Sequence, residues 1–329
     1  MSPFSLGVPE TYDFKSILVI SAFMGLIIGL LAGSVMVFVN YKLFQKKSFR
    51  FALLATAISY VVLYFIIAFF VNIALTWNRL GDSASITKVT TISINNLTAI
   101  YTLPYFVLWG AITLLTIFFL QVNDKFGPGV LRKFLAGKYF QPRGEQRIFM
   151  FLDIKSSTSI AEKIGHTKYF KLLKDFFADI TSPIIESRGE IYQYVGDEVV
   201  ICWSLKNGIK DANCIKCYFN IKNKIDELAP NYKKRYGLVP EFKAGLHYGN
   251  VTAGEIGSIK RDIIYSGDVL NTTSRIQEQC KSYDVNFLLS RRTFDLLENK
   301  DQFELIPLGN IELRGKQDKI NLNTVRLIS

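Results

Sequence analysis

Two carboxylates frame the chemistry open to this chain. Asp197 follows Gly196 between two short runs, 189–195 and 198–203, both rich in β-branched and aromatic residues. A Gly-X pair between such runs suits a tight hairpin turn with Asp197 at its tip. Asp153 ends the apolar run Ile148-Phe149-Met150-Phe151-Leu152, the pattern of a buried central strand. Alone, Asp197 reads as an ordinary turn former. Beside a second strand-end carboxylate it reads differently, because two such groups at adjacent strand ends are what a pair of divalent cations needs. Like charges held close are costly unless a cation neutralises them, so the arrangement predicts a metal.

Other residues could serve the same chemistry. The loop after Asp153, Lys155-Ser156-Ser157-Thr158, is small and polar and leads into a helix N-terminus, a natural place for phosphate oxygens. Asn271 and Arg275 lie four apart on one face of a later helix, either as donors for a charged transition state or as a solvated face. Lys316, in the turn Leu313-Arg314-Gly315-Lys316, is by itself a solvated lysine. His166 and His247 have no spacing that suggests ligands or a triad, and both are taken as structural or surface residues. Cys202 sits in a strand pattern. Cys214 and Cys217 form a CxxC inside a helical stretch with no second pair, which argues against zinc or redox chemistry. A reducing compartment fits.

The elements that position these residues can be read in order from Arg147. A strand ends at Asp153; a helix spans about 160–187, with Ser159 and Glu162 as a capping box and Pro183 bending or ending it early. The hairpin follows, then a helix near 208–228 and a strand at 241–246. This β-α-β-β-α-β order is that of ferredoxin-like sheets, in which the first strand lies beside the hairpin and brings Asp153 near Asp197. Appended pieces are strands at 251–256 and 263–265, a helix at about 269–280, a strand at 285–289, a short helix at 292–298 and closing strands near 303–313 and 319–328.

The first third has another character. Residues 1–122 carry seven Lys/Arg and three Asp/Glu, and the chain as a whole has a net charge of +11. Three apolar runs, 17–39, 51–77 and 100–120, are long enough to span a bilayer. Gly25, Gly29 and Gly33 permit close helix approach in the first. Lys42, Lys46, Lys47 and Arg50 after the first span, and Lys125, Arg132, Lys133 and Lys138 after the third, place both segments on the cytoplasmic side. That topology leaves 78–97 as an external loop, with room for a short fourth piece within 82–99. The spans hold almost no ionisable residues, which speaks against a transport pathway. Residues 123–146, bounded by Gly127-Pro128-Gly129 and Gln141-Pro142-Arg143-Gly144, form a basic hinge. The positive charge suits a membrane surface and a polyphosphate better than nucleic acid. The expected division is a transmembrane anchor or sensor at 1–122, with an unidentified ligand if it senses one, a linker at 123–146 and a catalytic domain at 147–329.

Four stretches together, Phe151-Leu152-Asp153-Ile154, Tyr194-Val195-Gly196-Asp197-Glu198, Gly245-Leu246-His247-Tyr248-Gly249 and 267–275, resemble the catalytic domain of class III nucleotidyl cyclases. The likeness covers roughly 147–328, and the apolar N-terminal third looks like the anchors of bacterial members. The resemblance implies an α+β fold, a ferredoxin-like βαββαβ catalytic domain behind an all-α transmembrane block in the inner membrane, multi-pass, with the catalytic part cytoplasmic. It implies a homodimer that makes cyclic AMP and pyrophosphate from ATP. Asp153 and Asp197 match the metal-binding aspartates, assisted by the backbone carbonyl of Ile154, for two divalent cations, Mg²⁺ or Mn²⁺. Asn271 and Arg275 match the transition-state pair, and Lys316 the lysine that grips the outer phosphates. Gln193 and Ile264 occupy the base-reading positions, where adenine-selecting members have Lys and Asp or Thr. The guanine-selecting pattern is absent too, so GTP stays open as a substrate, and so does a catalytically inactive regulatory role.

Overall fold

The computed structural model describes residues 33–34, 49–81, 85–98, 103–126, 137–259, 261–312 and 319–328. The chain divides after Gln121 into two compact units.

The first unit contains helices α1 (Phe49–Leu80), α2 (Ile86–Thr98) and α3 (Leu103–Phe126, which runs past the division). Leu54–Ala74 within α1 is the one stretch among the described residues long and apolar enough to cross a membrane. Its Leu54, Ile58, Phe65 and Phe70 face outward, unburied by the unit itself, as on a helix meant for an apolar surround. Tyr60 donates to the Phe106 carbonyl at 2.8 Å and ties α1 to α3. Of the expected span at 17–39 only residues 33–34 are described. That at 51–77 falls in α1. That at 100–120 falls in α3, where the described apolar stretch, Phe106–Thr116, is shorter than a bilayer-crossing helix. The expected external loop contains α2 instead, whose 13 residues reach about 20 Å.

The second unit is built on an eight-stranded sheet. Its elements are β1 (Arg143–Ile154), α4 (Ser157–Ile164), α5 (His166–Glu186), β2 (Glu190–Val195), β3 (Glu198–Ser204), α6 (Leu205–Ile209), α7 (Asn213–Glu227), α8 (Ala229–Tyr236), β4 (Phe242–Ile256), β5 (Asp262–Ser266), α9 (Asp268–Glu278), β6 (Phe287–Ser290), α10 (Arg291–Asp295), β7 (Phe303–Glu312) and β8 (Lys319–Leu327). The strand order is β2-β3-β1-β4-β6-β8-β7, with β5 on the far end of β4. Its first four strands have the ferredoxin-like order expected from the sequence. β1 is central because 148–152 is apolar at every position and needs cover on both faces. On one face Ile148, Met150 and Leu152 pack under Leu172, Phe176 and Ile180 of α5 and Ile215 and Ile221 of α7. On the other, Phe149 and Phe151 meet Val200, Cys202, Tyr265 and Val269.

Helix α9 lies against that second face because two glycines admit it. A Cβ on Gly245 would stand 2.5 Å from the Gln277 backbone nitrogen, and one on Gly249 would stand 2.9 Å from Val269.

Several boundaries differ from expectation. The capping box at Ser159 and Glu162 does not form: α4 begins at Ser157 and has no side-chain cap. The break falls at Gly165, with φ 84°, and α5 then runs through Pro183 to Glu186. The two strands expected at 241–246 and 251–256 are one continuous β4. β1 begins at Arg143 rather than 147, and Arg147 is buried within it. Its guanidinium is accommodated by Glu145 at 2.9 Å, Glu190 at 3.4 Å and the Tyr139 hydroxyl at 3.1 Å. It also lies over the Tyr265 ring at 4.5 Å.

Candidate active site

Pairing of β1 with its two neighbours assembles the acidic rim. Asp153 stands opposite Glu198 of β3 on one side and Lys243 of β4 on the other. Asp197 precedes Glu198 in the turn, where Gly196 takes φ 64°, a left-handed value that glycine adopts without strain. The Asp153 carboxylate accepts from Gln277 Nε2 at 3.2 Å and pairs with Lys243 Nζ at 3.4 Å.

Electrostatics follow from three carboxylates around one lysine. Burial raises the Asp153 pKa above the ordinary carboxylate value, the charge of Asp197 raises it further, and Lys243 opposes both. Glu198 is pushed up to about 7, by burial first and then by Asp153 and Asp197. Added positive charge is what this rim lacks. Among the described residues no group of three or more His, Cys, Asp and Glu side chains is disposed to hold a metal by itself. Two carboxylates fit Mg²⁺ or Mn²⁺ sites whose remaining ligands are water and substrate phosphates. The donor set therefore suits cations that arrive with a polyphosphate.

Beside the rim, Ser157 and Thr158 open α4 with their backbone N–H groups at its start, after Ser156 with φ 55°. Ile154 ends β1 with its side chain buried in the core, so only its backbone is available to the site. Tyr169 of α5 brings a buried hydroxyl without a hydrogen-bond partner among the described residues. Its pKa is raised by burial and then by the Asp197 charge.

Asn271 and Arg275 both lie on α9, and Gln277, which holds Asp153, lies on the same helix. At about 100° per residue the Asn271/Arg275 face points away from Gln277. Asn271 is exposed and Arg275 half-buried, and Arg275 makes no ion pair with a described residue. Within one chain Asp153 and the Asn271/Arg275 face therefore lie on different sides of α9. Gln193 is exposed on β2, and Ile264 is 36% exposed on β5. Lys316 lies outside the described residues. His247 is buried, its Nδ1 2.7 Å from Ser290 Oγ, a structural role as expected. All four cysteines are buried, and none is in a disulfide.

The family model described as "Adenylate and Guanylate cyclase catalytic domain" matches residues 141–327. The chain belongs to that family. The cyclase domain is 36% identical over 204 residues to Adenylate cyclase 2 of Rhizobium meliloti (strain 1021), covering 62% of this chain and 56% of that protein. It is 26% identical over 183 residues to the adenylate cyclase of Anabaena cylindrica, covering 54% of this chain and 36% of that one. Among solved structures it is similar to a bacterial light-regulated adenylyl cyclase, with TM-score 0.57 and 21% identity over 71% of this chain and 67% of that chain. An adenylyl cyclase from P. aeruginosa matches with TM-score 0.51 and 18% identity, over 57% and 97%. These structural likenesses establish the cyclase fold. The chain spans 30 to 56% of the length of the first curated relatives it matches.

Sequence reasoning had singled out neither Lys243, Gln277 nor Tyr169. Nothing local marks them, since each reaches the cyclase rim only through strand pairing or helix docking.

Proposed function

We propose that this chain is a membrane-anchored adenylate cyclase that converts ATP to 3′,5′-cyclic AMP and pyrophosphate as a homodimer. The observation that carries the reading is the rim itself: Asp153 opposite Glu198 and next to Asp197, with Asp153 and Glu198 both raised above the ordinary carboxylate range by burial and by neighbouring negative charge. It is supported by 36% identity to a protein named adenylate cyclase.

In this reading Asp153, Asp197 and the Ile154 carbonyl hold two divalent cations, Mg²⁺ or Mn²⁺. When bound, the cations would supply positive charge for the triphosphate and would lower the pKa of the ribose 3′-hydroxyl. Ser157 and Thr158 meet the phosphates at the start of α4. The 3′-oxygen forms a bond to the α-phosphorus, the bond to the bridging oxygen breaks, pyrophosphate leaves, and the hydroxyl proton passes to solvent. Asn271 orients the ribose, Arg275 stabilises negative charge building on the α-phosphate, and Lys316 grips the outer phosphates. Because Asn271 and Arg275 face away from the Asp153 side of α9, two copies are needed, each giving its carboxylates to one site and its donor pair to the other. Leu54–Ala74 anchors the assembly in a bilayer. In this reading the catalytic domain is cytoplasmic and the protein multi-pass, a topology supported by the positive residues flanking the apolar runs.

The test is turnover of the purified full-length protein with ATP and with GTP, each with Mg²⁺ and with Mn²⁺. Cyclic AMP from ATP supports the reading. Cyclic GMP alone reassigns the protein as a guanylate cyclase. No product from either nucleotide, in a folded dimer, makes it a regulatory module.

A further inference from the structure

Strand β2 contains one irregularity, and it falls next to a base-reading position. Ile191 pairs with Ile201 of β3 and Gln193 with Val200, so Tyr192 is an extra residue with no partner in the ladder. Side chains alternate along a regular strand, which would put Ile191 and Gln193 on one face. The bulge breaks that alternation. Ile191 packs into the core beneath α5 and α7, whereas Val200, the partner of Gln193, belongs to the opposite face. Tyr192 and Gln193 therefore both turn to the α9 face.

On that face Tyr192 reaches β5. Its hydroxyl accepts the backbone N–H of Tyr265 at 3.2 Å, a bond between residues 73 apart in sequence. The two rings lie 5.0 Å apart, and both meet Phe149 edge-on, at 6.4 and 5.7 Å. Gln193 is the next residue after Tyr192, and Ile264 is the residue just before Tyr265. No ladder joins β2 to β5, since three strands separate them in the sheet order. The Tyr192 hydroxyl bridges that gap one residue from each base-reading position.

We propose that Tyr192 is a positioning residue for purine selection, holding β2 to β5 so that Gln193 and Ile264 keep a fixed spacing. The inference rests on the cyclase reading above, in which Gln193 and Ile264 face the base. Neither residue has the charge that would discriminate purines strongly. A weak reader discriminates only if it is held still, so the spacing carries more of the selectivity here.

The experiment uses the full-length protein and its Tyr192→Phe, Gln193→Ala and doubly substituted forms. Equilibrium binding is measured for 3′-deoxy-ATP and 3′-deoxy-GTP, which lack the attacking hydroxyl, and for pyrophosphate, which lacks a base. Tyr192→Phe keeps the ring and removes only the acceptor. It is expected to shrink the ratio of the two nucleotide affinities by about two- to tenfold, the worth of one neutral hydrogen bond, with pyrophosphate affinity unchanged. The double variant is expected to lose no more selectivity than Gln193→Ala alone, because Tyr192 acts through Gln193. An unchanged ratio, additive losses or equal weakening of pyrophosphate would each overturn the proposal. If Gln193→Ala leaves the ratio intact, the base-reading assignment fails and the proposal with it. Because binding needs no turnover, an inactive wild-type chain would sink the enzymatic reading while these affinities still decided the role of Tyr192.

Discussion

Asp153 carries more than one task in the rim: it takes a hydrogen bond from Gln277, an ion pair from Lys243 and the repulsion of Asp197. Asp153→Ala or Asp197→Ala is expected to abolish cyclic nucleotide production while leaving the melting temperature and dimerisation near wild type. Normal turnover in either variant would remove the cation assignment. The raised pKa values also set a pH dependence. Glu198 titrates at about 7 in the folded chain, against a reference of 4.5. The native state therefore holds an extra proton between those values, and this group's contribution to stability falls as pH rises from 4.5 through about 7. Without divalent cation the melting temperature should drop across that interval, and Mg²⁺ should raise it more at pH 8 than at pH 5. Equal Mg²⁺ shifts at both pH values would contradict this account. At this scale the sequence showed the two aspartates, because strand-ending carboxylates after apolar runs are visible locally. It hid Gln277, which lies 124 positions from its partner, and Lys243, whose role depends on which strand pairs with β1.

Among the elements, α9 depends most on a single position. Its backbone at Gln277 rests where Gly245 has no side chain. Gly245→Ala should push α9 off the sheet and cost about 1–3 kcal/mol, read as a lower denaturant midpoint, together with loss of the Gln277 contact to Asp153 and of activity. A variant as stable and active as wild type would show that the helix has room to move. The order of strands and helices was legible because periods of 2 and 3.6 alternate cleanly from Arg147 onward. Boundaries were less so. Pro183 suggested an early end to α5, yet the helix loses one ladder bond there and still caps itself, with Ser187 N–H donating to the Pro183 carbonyl at 3.1 Å. The sequence read two strands where β4 is one, and Gly249, inside that continuous strand, lacks the side chain that would collide with Val269.

For the whole molecule, the opposed faces of α9 make a prediction about assembly. Asp197→Ala and Arg275→Ala chains should each be inactive alone. Mixed in one preparation, they should recover about a quarter of wild-type activity, since half of random dimers are mixed and each contains one intact site. No recovery, with mixed dimers verified by a tag, would mean that each chain builds its own site. The membrane part was legible as apolar runs, but only Leu54–Ala74 among the described residues meets the length and composition of a span. Composition does not distinguish α1 from the equally apolar α3, whose described apolar stretch, Phe106–Thr116, is shorter, because that difference lies in where the apolar stretch stops.

The buried guanidinium of Arg147 has a practical consequence for anyone dissecting this protein. Its partners Tyr139 and Glu145 precede it in the chain, and the Tyr139 carbonyl also accepts from Glu255 N at 3.0 Å. A fragment cut at Arg147 would expose a fresh amino terminus beside a cation stripped of its nearest carboxylate, a loss of about 3–5 kcal/mol for a buried ion pair. One cut ahead of Gly137 retains both partners and should express as the better-behaved protein, with the higher melting temperature. Equal melting of the two would show that Arg147 finds solvent instead. The useful start of the excisable catalytic piece is thus set by where a charge is neutralised, well ahead of the first strongly apolar run.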